Sequence, residues 1–245
     1  MKILLLDIET SPNSAYVWGL WQQNVSLSQI KESSYVMCWA AKWLGEKEVF
    51  FDSTHKSKPA KMLKGIHDLL DRADAVVHYN GTKFDIPTLN KEFLLHGLPP
   101  PSPYRQIDLL RTVRNQFKFP SNKLDYVAQR LGLGAKHETN FQLWVDCMNG
   151  VPKAWKAMEL YNKQDVVLLE KVYHKVLPWV KNHPNRNLYN DNDKTTCPSC
   201  GSHKLQKRGT ARTIGGTYQR YQCQSCGTWS RGNTTTQHRP EVKGT

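Results

Sequence analysis

Four consecutive apolar residues, Ile3–Leu6, run into Asp7 and Glu9, and a short apolar run closed by acids reads as a buried strand with function at its end. Tyr35–Trp43 is apolar and extended in character, and Glu48–Phe51 is another strand after a turn at Gly45, so three strands in an antiparallel meander are predicted. Pro59 opens a helix whose apolar positions Met62, Leu63, Ile66, Leu69 and Leu70 recur at a spacing of about 3.6 residues. Asp74 ends it, and Ala75–His78 is a short buried strand. A helix over Thr88–His96 stops at Gly97, and Ile107–Leu110 closes a fifth strand and begins a helix. Amphipathic helices follow over Asn122–Leu131 and Phe141–Met148. The longest starts at Pro152 and carries an apolar stripe from Met158 through Val176 to Pro178 or Trp179. This βββαβ order predicts an α/β fold, a mixed sheet flanked by helices. Residues 14–33, with Tyr16, Trp18 and Trp21, read as a loop or short edge strand close to the acidic pair.

The polar stretch His183–Asn187 interrupts the pattern and places a boundary. The predicted organisation is a main domain over 1–182, a linker over 183–193, a cysteine module over 194–231 and a polar, disordered tail over 232–245. In 245 residues there is room for one substantial core and one small module. No stretch approaches the roughly 18 consecutive apolar residues of a membrane span, so no membrane association is expected. The first residues read as a strand without a small-residue cleavage signal, which predicts an intracellular protein, cytoplasmic in a prokaryotic or virus-infected cell.

Charge changes the picture. The chain carries a formal +13, and residues 181–245 hold 11 Lys+Arg against 3 Asp+Glu, or +8 of it. Positive charge concentrated in this way favours a polyanion, nucleic acid first, although a basic tail also serves as solubilising surface.

Candidate chemistry begins with the acids. Side chains two apart on a strand share a face, so Asp7 and Glu9 point the same way. Two like charges that close repel unless a cation lies between them; the alternative is a strand running out into solvent. Asp85 sits just past the turn Tyr79–Gly81, where its helix begins, and Asp165 lies one turn after Tyr161 on the long helix. Four carboxylates from separated segments suit two hard divalent cations with oxygen ligands. Tyr161, with an ordinary pKa near 10, suits orientation of a water or phosphate rather than base catalysis. Asn80 and Lys83 flank the turn and are candidate phosphate contacts, while Asp108 is an N-cap or an acid supporting the site.

DIET at 7–10, NGTKFDIPTL at 80–89 and YNKQD at 161–165 resemble, in order, the three motifs of the DEDD 3′–5′ exonuclease superfamily, and the tyrosine resembles its DEDDy subclass. KLDYVAQRLGL at 123–133 and IDLL at 107–110 also resemble segments that precede the third motif. The resemblance covers about residues 1–180 and implies a ribonuclease-H-like fold and a two-metal mechanism using Asp7, Glu9, Asp85, Tyr161 and Asp165. It implies two Mg²⁺, or Mn²⁺, with Asp7 shared between them, Glu9 and Asp165 on the side of the attacking water, and Asp85 on the side of the leaving 3′ oxygen. The stretch between DIET and the next long strand is longer than a minimal member needs.

The last quarter carries Cys197-x-x-Cys200-Gly201 and Cys223-x-x-Cys226-Gly227, whereas Cys38 and Cys147 read as separate buried thiols. Two matching knuckles in an intracellular chain are metal spacing, and four thiolates specify one structural Zn²⁺, with an iron–sulfur centre as the alternative. The residues between the knuckles suit a β-hairpin turning at Gly215-Gly216, and the module resembles a zinc ribbon. Lys204, Lys207, Arg208, Arg212 and Arg220, interleaved with Tyr218, Tyr221 and Trp229, either contact nucleic acid or cover and solvate the metal site.

These readings together predict a metal-dependent 3′–5′ exonuclease with DNA favoured over RNA. A structure-specific endonuclease on the same scaffold and a non-catalytic nucleic-acid-binding scaffold are the alternatives. A replication or repair protein is a candidate partner.

Overall fold

In the computed structural model, which describes residues 1–134, 139–189 and 195–236, the run at the N-terminus becomes the central strand of a sheet. This strand, β1 (Ile3–Thr10), is followed by β2 (Ser14–Ala15), β3 (Ile30–Glu32), β4 (Val36–Trp43) and β5 (Phe50–Ser53). Next come α1 (Pro59–Asp71), β6 (Ala75–His78), α2 (Asp85–Leu95), β7 (Arg105–Asp108) and α3 (Leu109–Gln116). Three helices follow, α4 (Leu124–Arg130), α5 (Phe141–Met148) and α6 (Pro152–Val176), the last continuing as a 3₁₀ turn over Leu177–Trp179. The final strands are β8 (Leu205–Thr213), β9 (Gly216–Cys223) and β10 (Trp229–Thr235).

The main sheet has the order β5-β4-β1-β6-β7. β1 pairs antiparallel with β4 and parallel with β6, so the expected mixed sheet is present, with the meander of β1, β4 and β5 on one side. Alternation along β1 divides the core between two faces. Leu4, Leu6 and Ile8 pack with Met62, Ile66 and Leu70 of α1 and Ile86, Leu89 and Phe93 of α2. Ile3 and Leu5 face the other way, onto Val113 of α3, Val127 of α4 and Val166, Leu169 and Tyr173 of α6. Lys42 of β4 and Glu170 of α6 form a largely buried ion pair across this second face. Cys38 and Cys147 are both buried, and they share one cluster with Met37, Trp155 and Met158 under α5 and α6.

Several boundaries differ from expectation, among them α4, which begins at Leu124 rather than Asn122. β5 lies at Phe50–Ser53 rather than Glu48–Phe51 because its pairing with β4 runs from Phe50 to Ser53. α2 begins at Asp85, three residues before Thr88, since Ile86 and Leu89 already belong to its buried face. The predicted polar tail over 232–245 is corrected in its first part: β10 runs to Thr235, where Thr235 stands opposite Tyr218 and the Thr236 N–H donates to the Thr217 carbonyl. Residues 237–245 of that tail and 190–193 of the linker lie outside the described residues. Among the described residues no helix is long and apolar enough to cross a membrane.

Candidate active site

β1 pairs with β6 only through Ile3–Leu5, so its end projects past that neighbour while still bonded to β4. Asp7 and Glu9 sit on this projecting end, on the face that receives α6. One carboxylate oxygen from each of Asp7, Glu9 and Asp165 lies within 4.8 Å of the other two. Asp165 is buried on α6, and three carboxylates this close could hold a hard divalent cation, which would offset their mutual repulsion.

Asp85 comes from the opposite face of the sheet, at the first residue of α2. Its carboxylate is not within that cluster; Oδ1 accepts the Ile8 N–H at 3.2 Å. That amide lies beyond the last residue paired with β6, and the carboxylate takes the place of a strand partner. Burial pushes the Asp85 carboxyl up to about 7, against the pull of the Ile8 N–H, and the nearby Asp108 carboxylate adds to the rise. An acid held this dry at the rim of the acidic cluster suits a role beside a cation.

The turn before Asp85 is held from β7. Asp108 is the N-cap of α3, accepting from Leu110 N at 3.0 Å, and it also accepts the Asn80 N–H at 3.0 Å and the Thr82 N–H at 3.4 Å. Asn80 takes a left-handed conformation, φ 73°, which asparagine tolerates better than most residues. His78, fully buried, accepts the Gly81 N–H on Nδ1 at 3.0 Å, which leaves Nε2–H to donate to Gln106 at 3.2 Å. Burial depresses the His78 pKa, in keeping with this neutral ring. A Cβ at Gly81 would lie 2.4 Å from His78 Cγ. Gly81→Ala is therefore expected to destabilise the protein by about 2–3 kcal/mol, because a buried ring bonded on both nitrogens has nowhere to move. Chemical denaturation measures this; a midpoint equal to the parent's would show that the turn relaxes freely. Lys83 is exposed at the outer side of the turn.

One residue of the site is not among the candidates named from the sequence. Asn162, completely buried on α6 between Tyr161 and Asp165, donates from Nδ2 to Asp7 Oδ2 at 2.7 Å, and its Oδ1 faces the Cys38 thiol at 3.8 Å. The side-chain amide thus orients the Asp7 carboxylate while leaving its negative charge in place. An asparagine on an otherwise apolar helical stripe was the available sign, since a buried amide demands a partner. Tyr161 is half-buried, its ring set edge-on against Trp144 of α5 at 5.9 Å between centroids.

At the other end of α6 the four cysteines converge, every sulfur within 4.8 Å of the others. Cys197 Sγ lies 3.6 Å from Cys226 Sγ, and Cys200 Sγ lies 3.6 Å from Cys223 Sγ. These separations are far too long for disulfides and close to the roughly 3.8 Å spanned by two thiolates on one tetrahedral zinc. The two knuckles are built alike. Gly201 and Gly227 take φ of 77° and 81°, and their N–H groups donate to the carbonyls of Cys197 and Cys223. Burial raises the Cys197 and Cys200 thiols. At Cys223 the Cys226 and Ser225 N–H groups and the neighbouring thiols outweigh burial and bring the pKa down to about 7. A thiol poised there is ready to bind a cation as thiolate.

The three strands after the first knuckle form one sheet in the order β10-β9-β8, of which only the β8–β9 hairpin was expected. Cross-strand pairs divide the basic residues between its faces. Arg220 stands opposite Arg231, with its guanidinium 4.9 Å from the Trp229 ring, and Arg231 lies over Tyr218 at 4.4 Å. Lys207 pairs with Tyr221 and Arg212 with Thr217 on the other face. Lys204 and Arg208 are exposed, and Arg231 joins the set although the sequence reading did not single it out. The module is seated on the main core: Cys200 and Cys226 pack against the cluster containing Tyr173, Val176 and Leu177. Tyr173 and His183 share a 2.8 Å hydrogen bond, and the Arg186 N–H donates to Pro198 O at 2.8 Å.

Comparison with known proteins agrees with this architecture. The chain is similar to the family B DNA polymerase of the hyperthermophilic archaeon Pyrobaculum calidifontis, with 19% identity, a TM-score of 0.51 and a match covering 72% of this chain. That match spans 24% of the polymerase, and at this identity it speaks for the fold alone. No curated protein matches the chain. The family model of the RNase H superfamily matches residues 4–177, the stretch from β1 to the end of α6 that holds all four acids. By that match over most of its length, and by the mixed sheet it contains, this chain belongs to the RNase H superfamily.

Proposed function

We propose that the protein is a metal-dependent 3′–5′ exonuclease that hydrolyses phosphodiester bonds, with DNA favoured over RNA. The observation that carries this reading is the convergence of Asp7, Glu9 and Asp165 within 4.8 Å at the projecting end of β1, with Asp85 beside it. Membership of the RNase H superfamily supports nuclease chemistry. Asp7, Glu9, Asp85 and Asp165 would hold Mg²⁺ or Mn²⁺, which when bound supply Lewis acidity at the phosphate and acidify water. Asn162 keeps the Asp7 carboxylate turned toward the other acids. The Tyr161 hydroxyl, one helical turn from Asp165, orients the attacking water by hydrogen bonding. Asn80 and Lys83, on the turn leading into Asp85, contact the phosphate backbone. Cys197, Cys200, Cys223 and Cys226 hold a structural zinc, and the sheet they organise grips the strand through Lys204, Lys207, Arg208, Arg212, Arg220 and Trp229.

The test is digestion of matched end-labelled DNA and RNA, single- and double-stranded, with Mg²⁺ and without it, beside a closed single-stranded circle. Stepwise loss from the 3′ end with the circle intact is the expected result. Cutting of the circle would make the protein an endonuclease, and no cutting of any substrate would overturn the reading. Tyr161→Phe keeps the ring against Trp144 and removes only the hydroxyl. It should lower turnover about 10- to 1000-fold with substrate affinity little changed. Single-turnover cleavage equal to the parent's would reduce Tyr161 to packing.

A further inference from the structure

Residues 14–29 contain no Asp, Glu, Lys or Arg, in a chain of which 22% is charged. Yet they are not buried. Tyr16 is 70% exposed, Trp18 100%, Leu20 87%, Trp21 84% and Leu27 87%. So much contiguous apolar surface in water marks a binding element.

Its neck is closed by strand pairing and hydrogen bonds. Ser14 pairs with Glu32 and Ala15 with Ile30, Tyr16 N–H donates to Gln29 O at 2.9 Å, and the Gln29 amide returns to Tyr16 O at 2.9 Å. Below this, Ser11 N–H donates to Tyr35 O and Ser11 Oγ accepts the Tyr35 N–H, both at 3.0 Å. Lys91 Nζ donates to Ser34 O at 2.7 Å, tying the neck to α2. The loop is thus rooted between the strand that carries Glu9 and the helix that opens on Asp85, two residues past Glu9.

We propose that the loop Tyr16–Leu27 is a strand-engaging element that stacks unpaired nucleobases beside the acidic site. The inference rests on the nuclease reading for its location, and its chemistry is its own. Without a single cation the loop has no charge to neutralise a phosphate, so the charged contacts to the backbone belong to the basic residues elsewhere. Three aromatic rings offer what every base accepts, a stacking face, independent of sequence. Trp18 is open on both faces of its indole, so a base can lie on either side. Leu20 and Leu27 can serve as apolar wedges between base steps. The amides of Gln22 and Asn24, both exposed, can donate to and accept from base edges.

The experiment compares the full-length parent, a Trp18→Ala/Trp21→Ala variant and a Trp18→Phe/Trp21→Phe variant. Affinity is read by fluorescence anisotropy on a single strand and on a blunt duplex whose 3′ linkages are phosphorothioates, so that neither is consumed. Loss of about 10- to 100-fold in single-strand affinity is expected for the alanine variant, with the phenylalanine variant within about threefold of the parent. Duplex affinity should move less than about twofold, and the melting temperature should stay put because both indoles are exposed. Single-strand affinity of the alanine variant within twofold of the parent, on DNA and RNA alike, would overturn the proposal. Sedimentation velocity covers a competing occupant: a parent that self-associates, with an alanine variant that is monomeric yet binds strands normally, would make the loop a subunit contact and overturn it too. Cleavage of an unprotected strand, run in parallel on the parent, separates the two readings. Tryptophan-dependent binding without cleavage would sink the nuclease reading alone, and cleavage without it would sink the loop proposal alone.

Discussion

Asp7→Asn and Asp165→Asn, each made in the full chain, are expected to cut strand cleavage about a thousandfold or more while the protein stays folded. The three carboxylates of the cluster converge within 4.8 Å, and amidation removes one ligand charge without changing the shape of the side chain. Like-charge repulsion falls at the same time, so the melting temperature should hold or rise. At Asp7 the new amide can still present an oxygen to Asn162 Nδ2, which preserves the contact between β1 and α6. Cleavage of an end-labelled strand and thermal unfolding, measured on the same preparations, check both halves. Activity within twofold of the parent, with contaminating nuclease excluded, would refute the assignment of these acids.

Cys200→Ser should lower bound zinc from one per chain to below about a tenth and unfold the cysteine module. The apparent binding energy of such a site, on the order of 10–16 kcal/mol, is folding energy for a module whose sheet buries few side chains. Structure makes the expected reach wider than the module. Because Cys200 and Cys226 pack against Tyr173, Val176 and Leu177, the last turns of α6 should loosen as well. Hydrogen exchange tests this directly: protection should vanish over 195–236 and fall over about 172–179, while β1, β4 and β6 keep theirs. Affinity for a long strand should also fall, with a shallower dependence on salt, as basic contacts are lost. Elemental analysis showing an unchanged zinc content, with unchanged protection of β8–β10, would remove zinc from the account.

The acid and cysteine positions were legible because local geometry alone arranges them. Alternation along a strand puts Asp7 and Glu9 on one side, a helical turn joins Tyr161 to Asp165, and a knuckle needs only its own four residues and a glycine. The central strand, the two long helices and the β8–β9 hairpin follow from periods and turn residues in the same way. β10 was not visible, since its stretch, WSRGNTT at 229–235, contains a glycine and an asparagine and no apolar alternation. It is a strand because β9 offers it an edge. Nor did composition reveal that the exposed aromatics of 14–29 stand on a bonded neck, because the residues that close it, Ser11, Lys91 and Tyr35, are remote in sequence from one another.

What only the tertiary structure decided is how the separate pieces meet. Sequence determined that four acids, a tyrosine and two knuckles exist and which of them share an element; it could not order the strands, because pairing is a contest among distant edges. The order β5-β4-β1-β6-β7 leaves the end of β1 unpaired on its β6 side, and that single fact admits Asp85 from one face and Asp165 from the other. The bonds that complete the site span 77 residues from Ile8 to Asp85 and 155 from Asp7 to Asn162. Such contacts form only once packing has already closed the chain, at an entropic cost that no local pattern records. For the same reason Asn162, an ordinary helical residue in the sequence, becomes a support of Asp7 only when α6 lies across β1.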